Sequence, residues 1–252
     1  MSETVDVLAI GAHPDDVELA CGGTLARLEA SGRRVGIAHL TGGEAGTRGT
    51  AAERRREAEA AAEVLRAAHL DILDCGDGAL RRGLTEEEQV MALLRRRRPD
   101  IVLGPPPADR HPDHGRAHEL VAAAVFYAGL RSRSRGRGEA HRPGAFFHYM
   151  QHDLFEPRFI VDVSPVWERK VAALSAYRSQ LHFGSQGGSE GDDGEERDEP
   201  MTKVATPAFS RAVEGRARHF GEVIGAEFGE PFGSRQALAV SDLFALLPGG
   251  VR

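Results

Sequence analysis

Cysteine is nearly missing: the 252 residues include only Cys21 and Cys75. Two thiols make no disulfide framework, so a reducing, cytoplasmic setting is the expectation. Long hydrophobic runs are missing too, since none approaches the ~20 residues that a membrane-spanning helix needs. Met1 to Val7 holds two acids and no basic stretch, unlike a secretory signal. The sequence also lacks a basic excess. Its formal net charge of -6 argues against nucleic acid as the main partner, because phosphate binding brings a basic surface. No internal repeat or domain linker is visible, and the first turn lacks Gly-x-Gly-x-x-Gly, which weakens a nucleotide-binding reading.

What remains is an ordinary globular composition, 41% hydrophobic, in a chain long enough to bury one full core. Val5 to Ile10, Val35 to Leu40, Leu70 to Leu73 and Ile101 to Leu103 read as short buried strands. Helical periodicity fills Val17 to Ala30, Glu53 to Ala68, Thr85 to Arg98 and a segment within Pro112 to Gly129. Thr85-x-x-Glu88 offers a capping box, and Pro99 stops that helix. Further on, Ala145 to Tyr149 and Phe159 to Val163 read as strands, while Val166 to Leu181 and Pro207 to Gly225 read as helices. Strands alternating with helices predict an α/β, Rossmann-like single domain over 1–252, with a mostly parallel sheet flanked by helices. Residues 184–203 are rich in Gly, Ser, Asp and Glu and predict a mobile loop.

Two segments carry chemistry. Gly11-Ala12-His13-Pro14-Asp15-Asp16 follows the first strand, and Asp109-Arg110-His111-Pro112-Asp113-His114 follows the fourth. In open parallel sheets, ligands bind at the carboxyl ends of strands. His13 and Asp16 can ligate a divalent metal. Asp15 points about 100° away from Asp16 if both are helical, so one can bind metal while the other faces water. His114 would complete a His, Asp, His set with an open fourth position, the mark of a catalytic zinc. His111 is then free, with Asp113 placed to orient its ring. The bland reading, acids that merely favour a helix N-terminus, accounts for one Asp but not for a His before Pro-Asp-Asp. Arg48, in the Gly-rich stretch 42–49, has the fork geometry to hold a carboxylate such as malate. His152 follows a strand-like segment and is placed to reach the same pocket.

His-Pro-Asp-Asp and His-Pro-Asp-His at these two strand ends resemble the PIG-L / LmbE-like zinc deacetylases. Thr41-Gly42-Gly43-Glu44, Arg54-x-x-Glu57-Ala58, Asp77-Gly78-x-Leu80 and Tyr177-Arg178-Ser179-Gln180 fit as well. Arg211 to Gly229 is most similar to the branch that deacetylates N-acetylglucosaminyl-malate in bacillithiol biosynthesis. The resemblance implies one Zn2+ per chain, or another divalent ion, on His13, Asp16 and His114. It implies Asp15 as general base, and His111 as the group that stabilises the oxyanion or protonates the leaving amine, with Asp113 as its partner. It implies Arg54 as a substrate contact. The substrate would be a small N-acetylglucosamine conjugate, with N-acetylglucosamine or chitooligosaccharides as alternatives, and the protein a homo-oligomer, trimer or hexamer. A non-catalytic sugar- or nucleotide-binding module remains the reading of a different class.

Overall fold

Apolar runs bounded by glycine or by charged residues become the strands of a seven-stranded sheet, and the computed structural model describes residues 3–133, 138–183 and 200–243 of it. The strands are β1 (Val7–Gly11), β2 (Val35–His39), β3 (His69–Ile72), β4 (Ile101–Gly104), β5 (Ala145–Tyr149), β6 (Phe159–Asp162) and β7 (Gly229–Gly233). Between them lie α1 (Asp16–Ala30), α2 (Ala51–Leu65), α3 (Leu84–Arg97), α4 (Pro112–Ala128), α5 (Trp167–Leu174) and α6 (Pro207–Val223). The sheet order is β3-β2-β1-β4-β5-β7-β6. β1 to β5 are mutually parallel; β7 runs antiparallel to both β5 and β6. The mostly parallel α/β architecture expected from the sequence is the one observed.

Every residue of β1 and β2 is buried, because helices cover both faces of the sheet. Val17, Leu25, Ala61, Leu65, Leu174 and Tyr177 form one core layer with α1, α2 and α5. Val90, Leu94, Leu120 and Val121 of α3 and α4 form the opposite layer with Leu8 and Ile10. From β1 the chain winds outward through β2 to β3, and from β4 it winds the other way. The order therefore reverses between β1 and β4, which opens a crevice at their carboxyl ends.

Four local features depart from the sequence expectations. The capping box sits at α2: Thr50 Oγ1 accepts from Glu53 N (3.2 Å) and Thr50 N donates to Glu53 Oε2 (2.9 Å). At α3 the helix begins a residue early, at Leu84, with Gly83 as cap and no side-chain cap bond, so Thr85 lies inside the helix. The helix expected to reach Leu181 ends at Leu174, because Glu57 of α2 accepts from both the backbone N and the hydroxyl of Ser179 at 2.7 Å and draws that backbone aside. β7, Gly-Glu-Pro-Phe-Gly, was hidden by its glycines and proline. Of the expected loop 184–203, residues 184–199 lie outside the described residues, and Lys203 opens a 3-10 turn, Lys203–Ala205.

α1 is also broken at Cys21 (φ -140°, ψ 18°). Past the break, the amides of Gly23 (2.9 Å) and Thr24 (2.6 Å) donate to the buried Glu230 carboxylate of β7. Leu19 O, which a regular helix would pair with Gly23 N, accepts instead from Lys170 Nζ at 2.9 Å. Lys170 also meets Glu230 at 2.5 Å, so the two side chains exchange for the lost helical bond. A Cβ at position 23 would stand 2.9 Å from Val163 Cβ, which explains glycine there.

Candidate active site

The crevice collects its side chains from the turns that leave β1 and β4. Asp15 caps α1 in a left-handed conformation (φ 98°), one of the few residue types that tolerates it, and Asp16 begins the helix. The Asp16 carboxylate is buried between two imidazoles. Its Oδ2 accepts from His13 N (2.8 Å) and lies 3.4 Å from His13 Nδ1; its Oδ1 lies 3.3 Å from His114 Nε2. Gln151, just past β5, also donates to Asp16 Oδ1. The other nitrogen of His114, Nδ1, donates to Asp109 Oδ2 at 2.5 Å, which leaves Nε2 to face Asp16. Asp109 Oδ1 in turn accepts from the amides of His152 (3.2 Å) and Asp153 (2.8 Å). Asp109 thus ties the turn after β4 to the turn after β5.

The Asp16 carboxylate approaches both rings, one oxygen 3.4 Å from His13 and the other 3.3 Å from His114. Among the described residues, the groups whose ligand atoms all lie within 4.8 Å of one another are His13 with His111 and His114, His114 with Asp109 and His152, and His13 with Asp77 and Asp113. Burial disfavours a charged His114 ring, yet Asp16 and Asp109 outweigh it and lift its pKa to about 9. Burial likewise opposes a charged His13, and Asp113, Asp16 and Asp77 raise it well above its usual value. Burial would raise Asp16, but His114 and His13 hold it well below the carboxylate range. The cluster thus binds extra positive charge strongly.

Asp15 behaves in the opposite way. Burial pushes its carboxyl up to about 7, although Arg54, 3.6 Å away, pulls it down. Two adjacent aspartates driven apart in this way take different chemical roles. His111 lies beside both ligand candidates, its ring 4.8 Å from His13 and 5.0 Å from His114 between centroids. One ligand atom from each of His13, His111 and His114 falls within 4.8 Å of the others, so all three rings line one space.

The expected pairing of His111 with the Asp113 carboxylate is corrected here. Asp113 is at α4's second position, where its backbone N donates to His111 Nδ1 at 3.3 Å. Its carboxylate turns the other way, to Gly78 N (2.9 Å), Arg116 Nη1 (3.0 Å) and His13 Nε2 (3.6 Å). Burial, then the neighbouring His13 and His114, lower the His111 pKa rather than raise it. A ring whose Nδ1 accepts an N–H carries its proton on Nε2 when neutral.

Both arginines are turned toward the protein. Arg54 is buried; its Nη1 donates to Gly43 O (3.1 Å) and its Nη2 to Pro14 O (2.8 Å), so it braces the backbone beside Asp15. Arg48 Nε donates to Ser179 O (2.9 Å) and Nη1 to Pro200 O (3.3 Å). His152 stacks against His114 at 5.7 Å, and burial lowers its pKa to about 4. Sequence reasoning gave no role to Asp77, Asp109 or Gln151. Asp109 and Gln151 follow β4 and β5 at carboxyl ends, a signal that was present; Asp77 meets His13 Nε2 at 3.1 Å from a distant segment.

Residues 8–125 match the family described as PIG-L: GlcNAc-PI de-N-acetylase. A diacetylchitobiose deacetylase from Thermococcus kodakarensis is 35% identical over 189 residues, 69% of this chain and 70% of that protein. The chain belongs to the PIG-L family. A 4-oxalmesaconate hydratase from Pseudomonas putida is 27% identical over 192 residues, 70% of this chain and 74% of its own. Among solved structures, the conserved protein TT1542 from Thermus thermophilus has a TM-score of 0.81 at 35% identity, covering 95% of this chain and 99% of its own. The N,N'-diacetylchitobiose deacetylase of Pyrococcus horikoshii has a TM-score of 0.74 at 27% identity, covering 96% and 88%. This member of a deacetylase family carries His and Asp groups able to hold a metal ion.

Proposed function

We propose that this chain is a zinc-dependent N-deacetylase that releases acetate from an N-acetylglucosamine conjugate and leaves the free amine. The observation that carries it is the pair Asp15 and Asp16: one carboxylate lies between His13 and His114, while its neighbour is tuned to about 7. His13, Asp16 and His114 would hold the zinc, which would supply a Lewis acid for the acetyl carbonyl and lower the pKa of water toward about 7.

Asp15 then takes the proton of the attacking water, since a carboxyl near neutrality can both accept and return a proton. His111, neutral with its proton on Nε2, donates to the developing oxyanion. The proton that Asp15 has taken passes to the sugar nitrogen as the C–N bond breaks, since a neutral His111 has no acidic proton to give up. Asp113 acts from behind His13 and through its backbone N–H on His111. Arg54 holds Asp15's surroundings, and Arg48, tied to Ser179 O and Pro200 O, would be the contact for an acidic aglycone.

The aglycone has two candidates. N-acetylglucosaminyl-malate follows from the likeness of Arg211 to Gly229 to the bacillithiol branch, and chitooligosaccharides are favoured by the chitobiose deacetylase relative. The hydratase relative supports a second reading, addition of water to an unsaturated acid. The test is acetate release from N-acetylglucosaminyl-malate, diacetylchitobiose and free N-acetylglucosamine, with metal content measured alongside. Acetate from any of them at enzymatic rates supports the reading. No acetate, with loss of an enol-acid chromophore instead, replaces it with the hydratase. Binding without turnover would leave a sugar-binding module. A cytoplasmic homo-oligomer, trimer or hexamer, is part of the reading, and exposed Leu84 and Phe126 suit a subunit contact that solution mass can check.

A further inference from the structure

His13 has two ring nitrogens, and only Nδ1 faces Asp16. Against Nε2 stands Asp77 Oδ1, at 3.1 Å. The second oxygen of the same carboxylate, Oδ2, accepts from the backbone N of Ala45 at 2.7 Å. Asp77 therefore has one oxygen on a metal-binding imidazole and the other on the Gly-rich stretch 42–49. That connection is doubled: Asp77 N donates to Glu44 Oε1 (3.1 Å), and Glu44 Oε2 accepts from Gly42 N (2.9 Å). The same stretch reaches Asp15 by another route, since Gly43 O accepts from Arg54, whose other arm holds Pro14 O.

We propose that Asp77 is a positioning residue that couples the conformation of residues 42–49 to metal affinity, by holding the far nitrogen of His13 while it is itself held by Ala45. The proposal rests on the reading that His13 ligates the metal. The Asp77 contact has an ion-pair distance without hydrogen-bond alignment, and a carboxylate so close favours the proton on Nε2, which leaves the Nδ1 lone pair for the ion. Asp113 Oδ2, at 3.6 Å from the same nitrogen and held by Gly78 N, assists from the side of α4. Ligands that move residues 42–46 would then change metal affinity, and the metal would change affinity for those ligands by the same factor.

The experiment is a chelator-competition titration with zinc on the full chain, for wild type, Asp77→Asn and Ala45→Pro. Asp77→Asn removes the carboxylate beside His13 and should weaken zinc binding about 10–100-fold. Ala45→Pro changes no side chain of Asp77 or of a proposed ligand; it removes the N–H that holds Oδ2 and restricts the local backbone. It should also weaken zinc, by a smaller factor. Should Ala45→Pro fail to fold, Glu44→Ala removes the other link and takes its place. Unchanged zinc affinity in Asp77→Asn overturns the positioning role. Unchanged affinity in Ala45→Pro, with Asp77→Asn weakened, overturns the coupling to residues 42–49. If wild type itself binds no zinc tightly, the metal reading falls and the coupling with it, an outcome distinct from tight wild-type binding with unaffected variants.

Discussion

Residues 7–128 and 145–233 share one sheet but contribute differently to it. The first part is wholly parallel and supplies His13, Asp15, Asp16, Asp77, Asp109, His111 and His114. It is also the part that matches the PIG-L family, at residues 8–125. The second part turns antiparallel at β7 and sends Gln151 and His152 to the crevice. Its other buried polar groups act at a distance: Glu230 and Lys170 hold the break in α1, and Ser179 holds α2 through Glu57. Chemistry gathers where the strand order reverses, and the added strands set the helix that carries Asp15 and Asp16.

The largest effect should come from breaking the first part. His114→Ala removes a proposed ligand and should abolish both bound metal and acetate release, while circular dichroism shows the fold retained. A His114→Ala protein with full zinc content and normal turnover would put the metal elsewhere among the histidines and acids of the crevice.

Next comes the second part. Glu230→Gln leaves Lys170 buried without its counter-ion, and breaking such a pair costs about 3–5 kcal/mol. Denaturant unfolding should show that loss. Zinc affinity of the folded fraction should change little, and Glu230→Gln with Lys170→Met should recover part of the stability. If Glu230→Gln instead lost zinc without losing stability, the division between chemistry in one part and support in the other would fail.

The contrast also explains what was legible in the sequence. β1, β2 and β4 were readable because burial on both faces demands unbroken apolar runs, and the two His-Pro-Asp segments were readable because they sit at the ends of those strands. β7 was not, since Pro231 and two glycines give it no strand signal. The pairing of His111 with Asp113 failed for a geometric reason. At a helix start the residue two places on presents its backbone N–H to the cap, so its carboxylate is free to seek Gly78 and Arg116. Asp77 came to His13 through tertiary folding, which no local spacing announces. The helix through Leu181 had the right periodicity and was overridden by one carboxylate, Glu57.

Asp15 offers a sharper division within the first part, between reactivity and stability. Asp15→Asn should keep its metal and lose about 10²-fold or more in kcat; equal loss of metal and activity would make Asp15 a ligand. Stability should move the other way. Burial raises this carboxyl to about 7 in the folded chain, against about 3.9 when unfolded. The folded state therefore keeps a proton that the unfolded state releases, so Asp15 erodes stability as pH rises from about 4 to about 7, and the loss is complete above that. Asparagine carries no such charge and tolerates the left-handed backbone of this position. Metal-stripped Asp15→Asn should be more stable than stripped wild type at pH 8, with the gap closing toward pH 4. A gap that stays constant over that range would mean the carboxyl is not raised.

The smallest effect should be at the entry to α2, which carries Arg54 and Glu57 without touching the metal. Thr50→Ala removes the hydroxyl that accepts from Glu53 N and leaves the Glu53 carboxylate held by the backbone N of residue 50. Loss of such a cap costs about 1 kcal/mol, or roughly 2–4 °C in Tm for a chain of this size. Arg54 follows by four residues, and its bonds to Gly43 O and Pro14 O join the helix to the backbone around Asp15. Fraying at Thr50 should therefore reach kcat slightly, and zinc affinity less than Asp77→Asn does, because α2 meets residues 42–49 through Arg54 and carries no proposed ligand. Glu57 lies one turn deeper and should keep Ser179 in place. The measurement is Tm, kcat and zinc affinity on the same preparation. A Thr50→Ala protein with unchanged Tm would show that tertiary contacts alone hold the helix start, and one with zinc weakened as much as in Asp77→Asn would show that α2 belongs with the metal-holding turns.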